Sequence, residues 1–200
     1  MPPTPRERMV RSAAVLMREH GVEAMSFSQV VEHSGAPRGS IYHYFPGGKA
    51  QLVEEATRYA GEFVANRNGT AMASDGPMGA LESVEKFWEQ VLGDTEFRAG
   101  CVVAAATLEG QRVPGARDAA GDAFLRWQRE FAASLREHGV EDDRASALAT
   151  LVFAGIEGGI LLARAQKSMT RRIGAIDFCA RVIAELRTVV GQALADVVRT

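Results

Sequence analysis

From Arg6 to the C-terminal end, apolar residues return at steps of three and four, and nowhere do apolar and polar residues alternate over a useful length. A chain patterned this way buries its apolar side by packing helix against helix. The expected class is all-α, with about nine helices and no sheet. Apolar residues make up 46% and charged residues 24% of the 200 positions, which is ordinary globular composition and excludes a disordered or collagen-like chain. Cys101 and Cys179 are too few for a disulfide framework or a zinc site of four thiolates. The N-terminal run MPPTPRERMV has no apolar core after its basic residues, so a cytosolic protein is expected.

Three prolines among the first five residues keep the N-terminal end out of regular structure. A helix then starts near Arg6, with Val10, Ala13, Ala14 and Met17 on one face, and Gly21 closes it as a left-handed glycine. Ser26 and Gln29 form a capping-box pair for a short helix through Ser34 that buries Val30 and Val31. Gly35 stops it, and Pro37 fits the first turn of a third helix ending at Tyr44. A fourth runs from Lys49 to about Arg67. The small, polar segment 68–77 (NGTAMASDGP) reads as a linker or long loop.

Long helices fill the remainder. Residues 78–93 align Leu81, Val84, Phe87, Trp88 and Val91. Residues 100–109 are small and apolar. Residues 116–138 carry Phe124, Trp127, Phe131 and Leu135, with Gly139 as the stop. Residues 142–168 are the most apolar stretch, and 176–198 carry Val182, Ile183, Leu186, Val190 and Leu194. Residues 145–165 are long enough to span a bilayer, but Glu157 in the middle and Arg164 near the end would be costly in lipid. No membrane association is expected.

The net charge of −2 conceals an uneven distribution. Arg6, Arg8, Arg11, Arg18, Arg38 and Lys49 outnumber Glu7, Glu19, Glu23 and Glu32 in the first quarter, while the rest of the chain is net acidic. No carboxylate lies between Glu32 and Glu54, which leaves room for a polyanion. The same window reads helix, glycine turn, short helix. That is how DNA-reading proteins set a second helix in the major groove. Val30, Val31 and Ile41 would hold the two helices together, leaving Arg38, Ser40, Tyr42 and His43 outward. Arginine reads guanine O6 and N7 bidentately, and tyrosine and histidine suit phosphates. Lys49, at a helix start, would meet a phosphate with an ammonium beside free N–H groups. Taken singly, Arg38 and His43 are also ordinary surface residues, and Tyr42 and Tyr44 are also half-buried core.

The run Gly35-Ala36-Pro37-Arg38-Gly39-Ser40-Ile41-Tyr42-His43-Tyr44-Phe45-Pro46-Gly47-Gly48-Lys49 resembles, without a gap, the recognition-helix signature of the TetR family of transcriptional regulators. The resemblance covers residues 6–52. It makes DNA-binding candidates of Ser28, Gln29, Pro37, Arg38, Gly39, Ser40, Tyr42, His43, Tyr44 and Lys49. Two positions depart from the common pattern: Ala36 stands where a capping Ser or Thr is usual, and Val30-Val31 where Ile-Ala is usual. Pro-Gly-Gly-Lys, Gly100-Cys101-Val102-Val103-Ala104-Ala105 and Glu157-Gly158-Gly159 are similar to the branch that includes lincomycin-resistance and flavonoid-responsive repressors.

The resemblance implies a homodimer on a palindromic operator of double-stranded DNA, released when a small-molecule effector binds. It implies a helix-turn-helix DNA-binding domain at 1–48, a connecting helix at 49–67, and a ligand-binding and dimerisation domain at 68–200. No cofactor or metal is implied. Phe87, Trp88, Val91, Phe124, Trp127, Phe131 and Phe153 would line a pocket for an apolar or aromatic molecule, or simply form core. Glu157 interrupts an apolar helix. It would bind ligand, pair with Arg164 across a dimer, or hydrogen-bond within the core. Cys101 is either a sensor thiol at the ligand site or a small buried hydrophobe.

Ala147, Leu151, Gly155, Gly159 and Ala163 recur every four residues as a smooth stripe for close helix approach. The stripe serves a dimer seam or packing within one chain. The family's four-helix interface adds Leu186 and Val190 to a dimer seam. The rival reading is a helical enzyme or small-molecule binder without a DNA role. Against an enzyme, the chain has no GxSxG, GxxxxGK[ST] or HExxH.

Overall fold

The computed structural model describes residues 2–37, 39–109, 112–166 and 175–199, with the side chains of these except 175–181. Among the described residues there are eight helices and no strand: α1 (Pro5–His20), α2 (Phe27–Ser34), α3 (Ser40–Tyr44), α4 (Gly48–Asp94), α5 (Val102–Glu109), α6 (Pro114–Glu137), α7 (Asp142–Gln166) and α8 (Ala175–Val197). The all-α expectation holds. The chain divides into two compact units, Met1–Phe63 with Gly100–Ala123, and Val64–Ala99 with Phe124–Thr200.

In the first unit α1 packs against α2, α3 and α5. Its buried face carries Met9, Val10, Ala13, Ala14 and Met17, as the periodicity predicts. A capping box opens α1: Glu7 N–H donates to Thr4 Oγ1, and Thr4 N–H donates to Glu7 Oε2 at 2.7 Å. The Thr4 N–H, and the Thr4 hydroxyl at 3.0 Å, donate to the Glu7 carboxylate and hold it below its ordinary pKa. Gly21 ends α1, but with φ 86° and ψ 171° it is not the left-handed cap expected. It occupies a region open essentially to glycine alone. A Cβ there would lie 2.6 Å from Glu109 Oε1, which explains why no larger residue stands at this turn.

In the second unit the expected loop at 68–77 is helix for most of its length. α4 continues through residue 74 and breaks at Asp75 (φ −133°, ψ 15°) and Gly76 (φ 64°, ψ −162°), and Pro77 opens the next limb. The polar residues mislead because their hydroxyls are satisfied inside the helix. Thr70 Oγ1 donates to Asn66 O at 2.9 Å, Ser74 Oγ donates to Thr70 O at 3.1 Å, and Asn68 is buried. The turn itself is two residues long. The imidazole of His138 covers it, with Nε2 2.8 Å from where a Gly76 Cβ would stand.

α7 and α8 pack extensively against each other. Leu148, Val152, Ile156, Ile160 and Ala163 of α7 are buried, as are Ile183, Leu186 and Val190 of α8. Trp127 lies between Phe124 and Phe153, at 5.2 and 5.9 Å between ring centroids, and Phe131 meets Phe153 at 6.2 Å. α7 is long and apolar enough to cross a membrane. Its buried side is nonetheless core of its own unit, and nine of its residues are buried.

Candidate nucleic-acid interface

Local chemistry builds the head from α2 to the start of α4. Ser26 and Gln29 make the expected capping box, with Ser26 N–H donating to Gln29 Oε1 at 2.8 Å. The Gln29 amide oxygen is thereby occupied on its own helix. Gly35 caps α2 in the left-handed region (φ 62°, ψ 24°), and Ala36 N–H returns to Val31 O at 3.3 Å. A Cβ at that φ is strained, so glycine makes the abrupt reversal possible.

The third helix is shorter than expected, beginning at Ser40 instead of Pro37. The Pro37 carbonyl accepts from both Ser40 N–H (3.0 Å) and Ser40 Oγ (2.6 Å), which anchors the first residue of the helix. Gly39 at the N-cap supplies no side-chain acceptor, in line with the absent Ser or Thr at 36. Val30 and Ile41 are fully buried and Val31 nearly so, which clamps α2 to α3.

This clamp leaves one side of the head open. Tyr42 is 70% exposed and rests edge-on against Phe27, 5.5 Å between centroids. His43 is exposed, edge-on to half-buried Tyr44 at 5.4 Å. Ser28, Gln29, Pro37 and Gly39 are exposed and Ser40 is half-buried. Arg38 lies outside the described residues. Phe45 is 1% exposed, beneath the Arg6 guanidinium at 5.4 Å. It belongs to the core.

Lys49 occupies the first turn of α4, and its Nζ donates to the Glu23 carbonyl at 2.8 Å. Sequence reasoning missed what surrounds this contact. Glu23 N–H donates to Glu109 Oε2 at 2.7 Å, the Glu23 carboxylate pairs with Arg112 at 3.1 Å, and Gly100 N–H donates to Arg18 O at 2.8 Å. The loop between α1 and α2 is thus held from the α4 start and from the far end of α5, and the end of α1 from the segment that leads into α5. Arg8 similarly donates to Ser34 O at 3.2 Å, fixing the end of α2. Partners 26 to 89 positions apart leave no local signal. The Thr4–Glu7 box did leave one, the T-x-x-E spacing.

The remaining candidates fall in different places. Phe87, Val91 and Phe124 are half-buried, and Trp88, Trp127, Phe131 and Phe153 are buried, all in the second unit. Cys101 is half-buried in the first unit, in the electrostatic neighbourhood of Arg18. Burial lowers the Arg18 pKa, and Cys101, Glu19 and Tyr59 partly offset that. Glu157 is half-buried on α7.

Of the seam candidates, Gly159, Ala163, Leu186 and Val190 are buried within the chain. A Cβ on Gly155 would lie 3.1 Å from Leu186 Cδ1. The small-residue stripe therefore receives α8 of its own chain. Leu151 is 47% exposed. It continues into an outward apolar strip with Ala154, Gly158, Leu161 (60%), Leu162 (41%) and Ala165.

A glycine-turned helix pair with an exposed Tyr-His edge, in an all-helical chain of two units, defines a class of helix-turn-helix DNA-binding protein. Comparison with known proteins agrees. Residues 10–56 match the family model for bacterial regulatory proteins of the tetR family, and residues 77–171 match the C-terminal domain of LmrA/YxaF-like transcriptional regulators. An HTH-type transcriptional regulator of Mycobacterium tuberculosis is 44% identical over 172 residues, covering 83% of this chain and 87% of that one. The HTH-type transcriptional regulator LmrA of Bacillus subtilis is 31% identical over 170 residues, covering 82% and 89%. The crystal structure of a regulatory protein TetR from Rhodobacter sphaeroides superposes with a TM-score of 0.76 at 22% identity, covering 94% and 98%.

The chain belongs to the TetR family of transcriptional regulators, in the branch with LmrA/YxaF-like C-terminal domains. It is a DNA-binding transcriptional regulator, and ligand-responsive repression is the typical mode of its family.

Proposed function

We propose that the protein is a repressor that binds a palindromic operator as a homodimer and leaves it when a small organic effector binds. The observation that carries this is the head: a left-handed Gly35 turn that fixes α3 on α2 with Ser40, Tyr42 and His43 at its open edge. In this reading residues 1–48 form the DNA-binding domain, 49–67 the connecting helix, and 68–200 the ligand-binding and dimerisation domain. Arg38 reads a base, while Tyr42, His43 and Lys49 contact phosphates. Ser28, Gln29, Pro37, Gly39, Ser40 and Tyr44 complete the footprint. The outward strip of α7 faces the partner protomer, and two-fold symmetry then demands an operator with inverted half-sites. The aromatic residues of the second unit receive the effector. The protein acts in the cytoplasm, free of membrane, without catalysis, cofactor or metal.

Selection from a random duplex library with the purified protein tests the reading. Enrichment of an inverted repeat is expected; folded protein enriching nothing at low salt defeats it. Two variants then separate the roles. Arg38→Ala should cost roughly 1–3 kcal/mol on the selected site and relax preference at one base pair. Lys49→Ala should weaken all sequences alike and reduce the salt slope by about one. An unchanged slope with a lower melting temperature would instead assign Lys49 to holding the Glu23 loop.

A further inference from the structure

The reversal at Asp75–Gly76 lays the two limbs of α4 side by side, and a groove of about 470 Å³ opens along them. Arg67 lies at this groove with an unusual set of partners. One terminal nitrogen donates to Ser83 O at 2.7 Å, the other reaches Asn68 Oδ1 at 3.4 Å, and Nε is buried with no hydrogen-bond partner. The guanidinium lies 4.2 Å from the centre of the Phe87 ring. Arginines buried this far ordinarily face a carboxylate.

Among the described residues none offsets this one. Burial alone pulls its pKa down to about 10, with no acidic side chain acting in the other direction. The two acids lining the groove are otherwise placed. Glu82 is bonded to Lys86 at 2.6 Å, and Asp75 stands at the reversal, eight residues along the helix from Arg67. A desolvated cation without an acid partner, lining an open groove beside an aromatic ring, is the arrangement that receives an anion.

We propose that this groove binds a small organic anion, with the Arg67 guanidinium taking its carboxylate and Phe87 packing against its apolar or aromatic body. The inference rests on the reading of the second unit as the effector domain and gives that effector its chemical class. A carboxylate would give the guanidinium the charged acceptor that the Asn68 amide and the Ser83 carbonyl do not. The ring would take up the apolar remainder at the groove wall. Fatty amines and quaternary ammonium compounds would be turned away by the same uncompensated charge.

Calorimetric titration and melting curves of the full chain with benzoate, 3-phenylpropionate and 2-naphthoate, each beside its neutral amide, test this. At least one carboxylate is expected to bind saturably and raise the melting temperature, and its amide to bind roughly ten- to a hundredfold more weakly. Arg67→Gln should lose the same factor. Ala71→Phe, which fills the groove from its wall and keeps the guanidinium in the chain, should abolish binding while melting cooperatively. No binding by any carboxylate, or equal binding by acid and amide, overturns the proposal. So does full retention by Ala71→Phe. Gel-shift of the selected operator is read in parallel. Intact operator binding with no carboxylate binding removes the anion site and leaves the repressor. Carboxylate binding to a chain that selects no operator keeps the site and removes the repressor.

Discussion

Replacing both Leu161 and Leu162 with arginine is expected to give a folded monomer whose operator affinity has fallen by about 10²–10⁴-fold, the avidity that linking two half-site contacts supplies. Both leucines lie on α7 at 60% and 41% exposure, on the side away from Leu148, Val152 and Ile160. Their loss therefore removes little from the core of the protomer, whereas guanidinium groups facing their two-fold copies would repel across a seam. Sedimentation equilibrium should show the monomer, and its melting temperature should no longer vary with protein concentration. A dimer that survives both arginines would place the seam off this strip. The variant that the glycine spacing suggests, Gly155→Leu, is a poorer test. A side chain at 155 would meet Leu186 Cδ1 at 3.1 Å and pry α7 from α8 inside one chain. Its loss of dimer would report misfolding as readily as interface.

The stripe shows where sequence reading reached its limit. Small residues at four-residue spacing state that some helix comes close, but not which one. Here Leu186 of α8 in the same chain meets the stripe at Gly155, while Leu151 of the stripe faces outward with Leu161 and Leu162, which the four-residue spacing does not single out. The loop expected at 68–77 failed for a different reason. Composition cannot distinguish a polar loop from a polar helix whose Thr and Ser hydroxyls bond back to carbonyls four residues earlier. The glycine–proline pair at 76–77 marked the true break.

What was legible in the sequence was local. The Ser26–Gln29 box, the Gly35 turn, the buried pair Val30–Ile41 and the Gly139 stop are all set by residues within a turn or two of one another. The bracing of the α1–α2 loop by Lys49, Glu109 and Arg112 was not legible, because the partners meet only once α5 has packed on α1. Arg67 escaped notice because, in sequence, a buried arginine looks like an exposed one.

The adjacent aromatics of the head should separate cleanly into structure and function. Phe45→Ala is expected to lower stability by about 3–5 kcal/mol, the usual loss for a fully buried phenylalanine. Set against a total of about 5–15 kcal/mol for a whole domain, that is a large share of the margin and brings the melting transition of the head down toward physiological temperature. The ring is among the largest fully buried side chains in the chain, and Arg6 loses its aromatic face with it. Operator binding should therefore disappear on warming and return on cooling, or with an excluded osmolyte such as TMAO, because every DNA-facing side chain is still present. Tyr42→Ala, three positions away, should behave in the opposite way. Its ring is 70% exposed and meets the Phe27 edge, a contact worth about 1 kcal/mol. The melting temperature should barely move, while affinity drops on all sequences alike, as the loss of a phosphate contact requires. Osmolyte should not restore it. If Tyr42→Ala melts early and recovers with osmolyte, the Tyr42 ring is a support of the α2–α3 clamp and the open edge of the head lies elsewhere on α3.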